Sequence, residues 1–237
     1  MGTEFLYISD PYGKECESKA VMVEFTDLVV DRSIMYPTSE GQPNDRGWVE
    51  IDGKRYDIVD VWIDGVWIHL MSQDTYDQNI AGKVVFQHLD WDIRYVHMRF
   101  RSAMYLLSSL AYKNLNATTR INQTYDDNSW IDIYKDDLTE ENVKELENEA
   151  NEIVSKGVEI SNIYMSRDEF QNNPQLMDIL KNRVPDMEKI RMFKIEGLPM
   201  IPDMGTQVKN TSEIGKINLK TSLLKGKINK RITITLS

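Results

Sequence analysis

The sequence is poor in the residues that build metal centres and disulfides. It contains one cysteine, Cys16, and three histidines among 237 residues. A single thiol cannot form an internal disulfide or a cysteine-rich zinc site. No two of His69, His88 and His97 are four residues apart, the spacing that places two ligands on one helix face. The residue pattern alone therefore predicts no metal-dependent or nucleophile-based hydrolase.

Other absences narrow the class of protein further. The chain has no glycine-rich phosphate loop, no apolar run long enough to span a membrane, and no basic leader followed by an apolar core. These absences argue against ATP chemistry, a membrane and secretion, so we expect a cytoplasmic protein. Its composition, 41% hydrophobic and 28% charged, is typical of one or two globular domains.

The net charge of -10 hides an asymmetry along the chain. From Gly205 to the C-terminus, seven bases face one acid, so that stretch carries +6 and the remainder carries -16. A basic stretch of this kind is either a solvated surface or a surface that contacts phosphates. The charge pattern therefore permits an RNA partner without requiring one.

The N-terminal third of the chain has the pattern of an antiparallel β domain. Two Asp-Gly pairs, Asp52-Gly53 and Asp64-Gly65, interrupt alternating apolar runs, which is a strong hairpin signal. We predict a small β-barrel over residues 1–82, with the polar stretch Ser72 to Gly82 as the boundary.

Residues 83–237 have the pattern of an α+β domain, with helices packed on a mostly antiparallel sheet. Spaced apolar residues predict a helix from Arg94 to Leu115, and a second helix is expected between a Thr139 cap and a Gly157 stop. Short strand-like runs follow at Val158–Met165, Ile190–Ile195, Lys216–Leu219 and Arg231–Leu236.

Two polar segments, Tyr36–Gly47 and Pro202–Ile217, are rich in Gly, Pro and small polar residues. Each alone is typical of a turn-rich connection. Together with the predicted first helix they resemble the alanyl-tRNA editing proteins of the AlaX type and the editing domain of alanyl- and threonyl-tRNA synthetases. The matching residues of the first segment are Asp31, Ser33, Tyr36, Pro37, Gly41, Gln42, Pro43, Asp45 and Gly47. The others are Asp90, Trp91, Arg94, Glu147, Ala150, Asn151, Gly205, Thr206, Gln207, Val208, Thr211, Glu213, Ile214 and Gly215.

The resemblance implies a translation-factor-like barrel, an α+β editing-type domain and hydrolysis of seryl-tRNA specific for alanine. It also implies a zinc ion held by two histidines on the helix and by a cysteine and a histidine on the later loop. The corresponding positions here are Arg101, Tyr105, Asp203 and Gln207, none of which keeps the family's ligand type. Because Arg is a permanently charged donor, we predict that this zinc is absent and that Arg101 forms a salt bridge with Asp203. A rearranged site using His97 and Asp203 is the alternative.

The resemblance also suggests roles for individual residues. Candidates for catalysis are Glu40 as general base together with Arg101 and Asp203, although the salt bridge could equally fill an inactive centre. Candidates for substrate binding are Ser33, Tyr36, Gly41, Gln42, Asp45 and Thr206. Candidates for tRNA binding are Lys220, Lys225, Lys227, Lys230 and Arg231.

Two functions therefore remain open, a trans-editing deacylase and a non-catalytic, zinc-less tRNA-binding relative. A hydrolase of another small ester or amide is a third reading that no residue selects. In the first two readings the expected partner is tRNA specific for alanine, with no DNA and no membrane.

Overall fold

The computed structural model describes residues 2–223 and 229–237, so Lys225 and Lys227 lie outside the described residues. The chain divides into two compact units, Met1–His97 and Met98–Ser237. This division falls later than the boundary expected at residue 82. The reason is that the strand Val84–Leu89 pairs with two strands of the first unit instead of joining the second.

The elements of the first unit are β1 (Glu4–Phe5), α1 (Leu6–Ser9), β2 (Glu15–Glu24), β3 (Asp27–Val30), β4 (Arg32–Ser33), β5 (Gly47–Ile51), β6 (Lys54–Asp64), β7 (Trp67–Ser72) and β8 (Val84–Leu89). Six of these strands form a closed, antiparallel barrel in the order β2-β3-β7-β6-β5-β8, so the predicted barrel is confirmed. A parallel pair, β1 with β4, lies outside it.

Both predicted hairpins are confirmed. Asp52 and Gly53 join β5 to β6 with φ angles of 52° and 77°, the pair of positive values that a type I′ turn requires. Gly65, with φ of 57°, joins β6 to β7. These turns fix the register of the strands, which alternate between a buried face and an exposed face. A bulge between Ile58 and Asp60 shifts that alternation, so the next buried residue is Val61.

The helix α2 (Trp91–Leu115) begins in the first unit and continues into the second, close to the predicted Arg94–Leu115. Its predicted apolar stripe is buried, including Leu107 and Leu110. The opposite face is buried too, because Met98 and Arg101 have no exposed surface.

After α2, the elements of the second unit are β9 (Thr118–Thr124), β10 (Ser129–Tyr134), α3 (Glu140–Lys156), β11 (Ile160–Ser166), α4 (Arg167–Gln171), α5 (Pro174–Ile179), β12 (Lys189–Ile195), β13 (Ile201–Pro202), a 3₁₀ turn (Thr211–Glu213), β14 (Ile217–Leu223) and β15 (Asn229–Leu236). The strands form two antiparallel sheets, with the orders β14-β15-β10-β9 and β11-β12-β13. Across the described ranges, no helix is both long and apolar enough to cross a membrane.

The ends of α3 confirm the sequence prediction. The Thr139 side chain accepts a hydrogen bond from the backbone of Asn142, and Gly157 ends the helix in the left-handed conformation, with φ of 64°. Glu147 and Asn151 explain one of the family motifs. Asn151 exchanges two hydrogen bonds with the backbone of Ile217, and Glu147 accepts from the Leu219 amide at 2.7 Å. The motif therefore ties α3 to the edge strand β14.

Candidate functional site

The four positions that the resemblance predicts to correspond to the family's zinc ligands lie together in the second unit. Arg101 and Tyr105 stand one turn apart on α2, and Asp203 and Gln207 lie on the loop after β13. The predicted salt bridge is confirmed: Arg101 Nε donates to Asp203 Oδ1 at 2.8 Å, and Nη2 donates to the same oxygen. Both side chains have zero exposed surface. The centre is therefore a closed, desolvated ion pair.

Every oxygen of the Asp203 carboxylate accepts hydrogen bonds. Besides the guanidinium, Oδ1 accepts from the Gly205 amide at 3.1 Å, and Oδ2 accepts from Gln207 Nε2. Burial alone would raise the pKa of Asp203, but the charge of Arg101 and its hydrogen bond outweigh that penalty and lower the pKa below its ordinary value. Asp203 is therefore a carboxylate at neutral pH.

Gly205 is required because the loop passes directly against the Arg101 side chain. A Cβ added to Gly205 would lie 1.9 Å from Nε and 2.3 Å from Cζ of Arg101. Arg191, itself 2% exposed, supports the same loop by donating to the carbonyls of Asp203 at 3.2 Å and Gly205 at 2.7 Å. The loop therefore packs around the guanidinium of Arg101 and is held in place by hydrogen bonds from Arg191.

These residues do not fit a zinc ion. Zinc requires lone pairs from imidazole, thiolate or carboxylate groups in a tetrahedral set. Here Arg101 offers only donors, and the Asp203 oxygens already accept hydrogen bonds from three neighbouring residues. Among the described residues, no group of three His, Cys, Asp or Glu side chains is placed to hold a metal.

A second buried ion pair organises the polar segment of the first unit. Arg94 Nε donates to both oxygens of Asp45, at 2.8 and 3.0 Å, and both side chains have zero exposed surface. Asp45 Oδ2 also accepts from the Tyr36 amide at 2.5 Å, and Arg94 donates to the Ile34 carbonyl at 2.7 Å. The matching residues Tyr36, Asp45 and Arg94 therefore hold the shape of this segment.

Other residues of the first unit that we predicted to bind substrate also make contacts within the unit. Ser33 Oγ donates to Gln87 Oε1 at 3.0 Å and accepts from the Met35 amide at 3.1 Å, inside the unit. Glu40 and Gly41 form the tip of a tight turn between Ser39 and the fully buried Gln42, with φ angles of 47° and 78°. Glu40, the candidate base, is exposed there.

The remaining motif residues of the second unit hold a turn. Thr211 accepts from the Val158 amide at 2.8 Å and donates to the Ile153 carbonyl at 2.9 Å. Glu213 accepts from the amides of Lys209 and Asn210, which caps the 3₁₀ turn. Thr206, which we predicted to bind substrate, precedes this turn in the sequence and is fully buried.

A polar cluster on β9 and β10 was not predicted from the sequence. Thr124 and Ser129 lie directly opposite each other, and Asn122 lies two residues before Thr124 on the same face. Their Oγ1, Oγ and Oδ1 atoms are buried and lack hydrogen-bond partners within the described part of the chain. Because buried polar groups normally find partners, the cluster is a candidate contact for a small polar group or water. The run Thr-Thr-Arg-Ile-Asn-Gln-Thr gave the only signal in the sequence.

The predicted tRNA-binding residues have different surroundings. Lys220 is exposed on β14, and Lys230 is partly exposed at the start of β15. Arg231 lies over the Trp130 ring, 3.4 Å from the ring centre, and donates to both oxygens of Asp132, at 2.8 and 3.1 Å. The charge of Arg231 is therefore already compensated, whereas Lys220 remains a stronger candidate for phosphate contact.

Comparisons with known proteins show which class of protein the chain is similar to. The chain is similar to part of the alanine–tRNA ligase of Saccharolobus islandicus, at 29% identity over 223 residues, which covers 92% of the chain and 25% of the ligase. It therefore resembles a segment of an alanyl-tRNA synthetase. No protein-family model matches the chain.

Two freestanding proteins match along their whole length. The alanyl-tRNA editing protein AlaX-M of Saccharolobus solfataricus is 33% identical over 239 residues, covering 98% of both chains. The AlaX-M protein of Methanosarcina barkeri is 31% identical over 242 residues, covering 99% of both. The chain therefore belongs to the AlaX-M alanyl-tRNA editing protein family.

Proposed function

We propose that the protein is a trans-editing deacylase that hydrolyses seryl-tRNA specific for alanine. The observation that carries this proposal is the full-length similarity to proteins named for alanyl-tRNA editing. The fold it implies is a translation-factor-like barrel followed by an editing-type domain. A protein that acts on aminoacyl-tRNA works where translation occurs, so the expected location remains the cytoplasm.

The reaction is the hydrolysis of an ester. The oxygen of a water molecule bonds to the carbonyl carbon of the seryl group, and the bond from that carbon to the ribose oxygen breaks. One proton of the water passes to the ribose oxygen, so the products are serine and tRNA with a free terminal hydroxyl. We propose Glu40 as the general base that accepts this proton from the attacking water and passes it to the ribose oxygen as the ester bond breaks.

The transition state of ester hydrolysis places negative charge on the former carbonyl oxygen. Polar groups that are already fixed in place stabilise such an oxygen better than mobile water does. We propose that Arg101 contributes as a positioning residue: it is fully buried against Asp203 and Gly205, so it fixes the conformation of their loop and does not itself contact the oxygen.

Recognition of the tRNA is proposed to use phosphate contacts. Lys220 and Lys230 supply positive charge on the β14 and β15 strands, and Lys225 and Lys227 belong to the same basic stretch of sequence. Contacts of this kind make the affinity fall steeply as salt rises, because each bound phosphate releases counterions.

A second candidate function is favoured by one specific observation. Arg101 and Asp203 are fully buried and hydrogen-bonded to their neighbours, which is also what a retained but inactive fold would show. In that case the protein binds tRNA specific for alanine without hydrolysing the ester.

Deacylation assays separate the two candidates. Purified protein is mixed with seryl-tRNA and with alanyl-tRNA, both specific for alanine, and loss of each ester is followed. The proposal predicts rapid hydrolysis of the seryl ester, slow hydrolysis of the alanyl ester, and a reduced rate in Glu40→Gln. Salt-sensitive tRNA binding without hydrolysis would instead establish the binding-only function.

A further inference from the structure

The strongest unexplained feature of the second unit is that a side-chain cation stands where the family's metal is expected. Arg101 extends from α2 and is enclosed by the loop that contains Asp203, Gly205 and Gln207. A metal at this place would connect the helix to the loop through its ligands. The guanidinium makes the same connection through hydrogen bonds.

We infer that Arg101 is a positioning residue that replaces the metal, so that this centre neither needs nor accepts zinc. The inference concerns the same centre as the proposed function, but it does not require hydrolysis to occur. It rests on the donor set, the packing of Gly205 and the burial of the ion pair.

The hydrogen-bond donors around Asp203 leave no ligand atoms for a metal cation. The guanidinium is charged at every accessible pH and has no lone pair to give. Both Asp203 oxygens accept from donors that sit within the same loop and helix, namely Arg101, the Gly205 amide and Gln207. A zinc ion would have to displace these donors while lying beside a permanent positive charge.

Packing excludes a simple displacement of the arginine. The Gly205 backbone lies so close to the guanidinium that even one added carbon would overlap with Nε and Cζ. Arg191 holds the carbonyls of Asp203 and Gly205 from another direction. The loop is therefore shaped around Arg101, and a different cation would require a different loop conformation.

Zinc binding tests the inference directly. The full chain is incubated with excess zinc, passed through a desalting column, and analysed for metal by mass spectrometry. The comparison variant restores the family's ligand types by combining Arg101→His, Tyr105→His, Asp203→Cys and Gln207→His. The inference predicts substoichiometric zinc in the natural protein and about one zinc per chain in the restored variant, because four such ligands form a tetrahedral site.

A second measurement keeps the test decisive if the restored variant does not fold. The melting temperature of the natural protein is measured with zinc and with a chelator, since a ligand that binds the folded state raises it. The inference predicts that zinc does not shift the melting temperature of the natural protein. It also predicts that Arg101→Met has a lower melting temperature, which added zinc does not raise. Arg167→Met, which removes an exposed ion pair with Asp186, is the matched control and should change little.

Stoichiometric zinc in the natural protein that is lost in Asp203→Ala would overturn the inference. The outcome is independent of the deacylation assay. Absence of zinc together with absence of hydrolysis would leave the metal-free centre intact and remove only the proposed activity.

Discussion

In the part of the chain that the structure describes, each unit holds a fully buried arginine–aspartate pair, and the two pairs differ in what surrounds them. Arg94 and Asp45, in the first unit, bind mainly backbone groups, including the Tyr36 amide and the carbonyls of Ile34 and Pro11. Arg101 and Asp203, in the second unit, are joined by the Gln207 side chain, which donates to Asp203. The first pair therefore holds a polar loop in shape, whereas the second lies at positions for which the sequence resemblance predicts metal ligands.

Removing either carboxylate should give the largest loss of stability. Asp45→Ala and Asp203→Ala each leave a guanidinium buried without its carboxylate, which costs roughly 3–5 kcal/mol. Urea denaturation monitored by circular dichroism gives the free energy of unfolding of each variant. The comparison is sharpened by the double variants Arg94→Met with Asp45→Ala and Arg101→Met with Asp203→Ala, which should recover part of the loss. A loss below about 1 kcal/mol in either single variant would mean that the pair is solvated, as exposed pairs are.

Gly205→Ala should have the next largest effect. The new methyl group overlaps with Arg101, and forced overlap in a packed interior costs about 1–3 kcal/mol. Gly53→Ala is the control, because nothing lies within 4 Å of its Cβ position and only the positive φ of 77° is strained, at about 1 kcal/mol. Thermal unfolding compares the two. Equal shifts in melting temperature would contradict the close packing of the loop on Arg101.

The pH dependence of stability should distinguish Asp203 from an ordinary carboxyl group. Its folded-state pKa lies below the ordinary value of 3.8, so its contribution to stability is present above that value and is lost as pH falls through the lower folded-state pKa. The difference in unfolding free energy between the natural protein and Asp203→Asn should be constant near neutral pH and shrink only below 3.8. A difference that already shrinks near pH 6 would show that the pKa is raised.

The smallest expected effect concerns tRNA affinity. Lys220→Glu should weaken tRNA binding and reduce the slope of log affinity against log salt by roughly 0.7–0.9 per lost phosphate contact. Filter binding at several salt concentrations measures the slope. The control is Lys156→Glu, an exposed lysine of α3 outside the basic C-terminal stretch, which should leave the slope unchanged. Identical slopes for both variants would show that β14 is not part of the proposed tRNA-binding surface of the protein.

Much of the fold was predictable because local signals agreed with it. The Asp-Gly turns, the Thr139 cap and the Gly157 stop each have a conformation that few residues adopt. The strands β9 and β10 were not predicted, because β9 is mostly Thr, Asn and Gln and shows no apolar alternation. Only tertiary pairing with β15 defines that sheet.

The candidate site could be predicted from the sequence only in part. The Arg101–Asp203 salt bridge followed from the family pattern and is confirmed. The supporting contacts of Arg191 and the near-contact of Gly205 depend on how β12 and the following loop are placed, which no local pattern encodes. The roles of Glu40, Thr206 and the basic residues remain predictions.

The most direct test of a metal-free editing centre is single-turnover hydrolysis of seryl-tRNA specific for alanine by chelator-treated protein of measured zinc content. We predict that the zinc-free protein hydrolyses the ester at the same rate with and without added zinc, and that Arg101→Met abolishes this activity. Hydrolysis that depends on added zinc would contradict it.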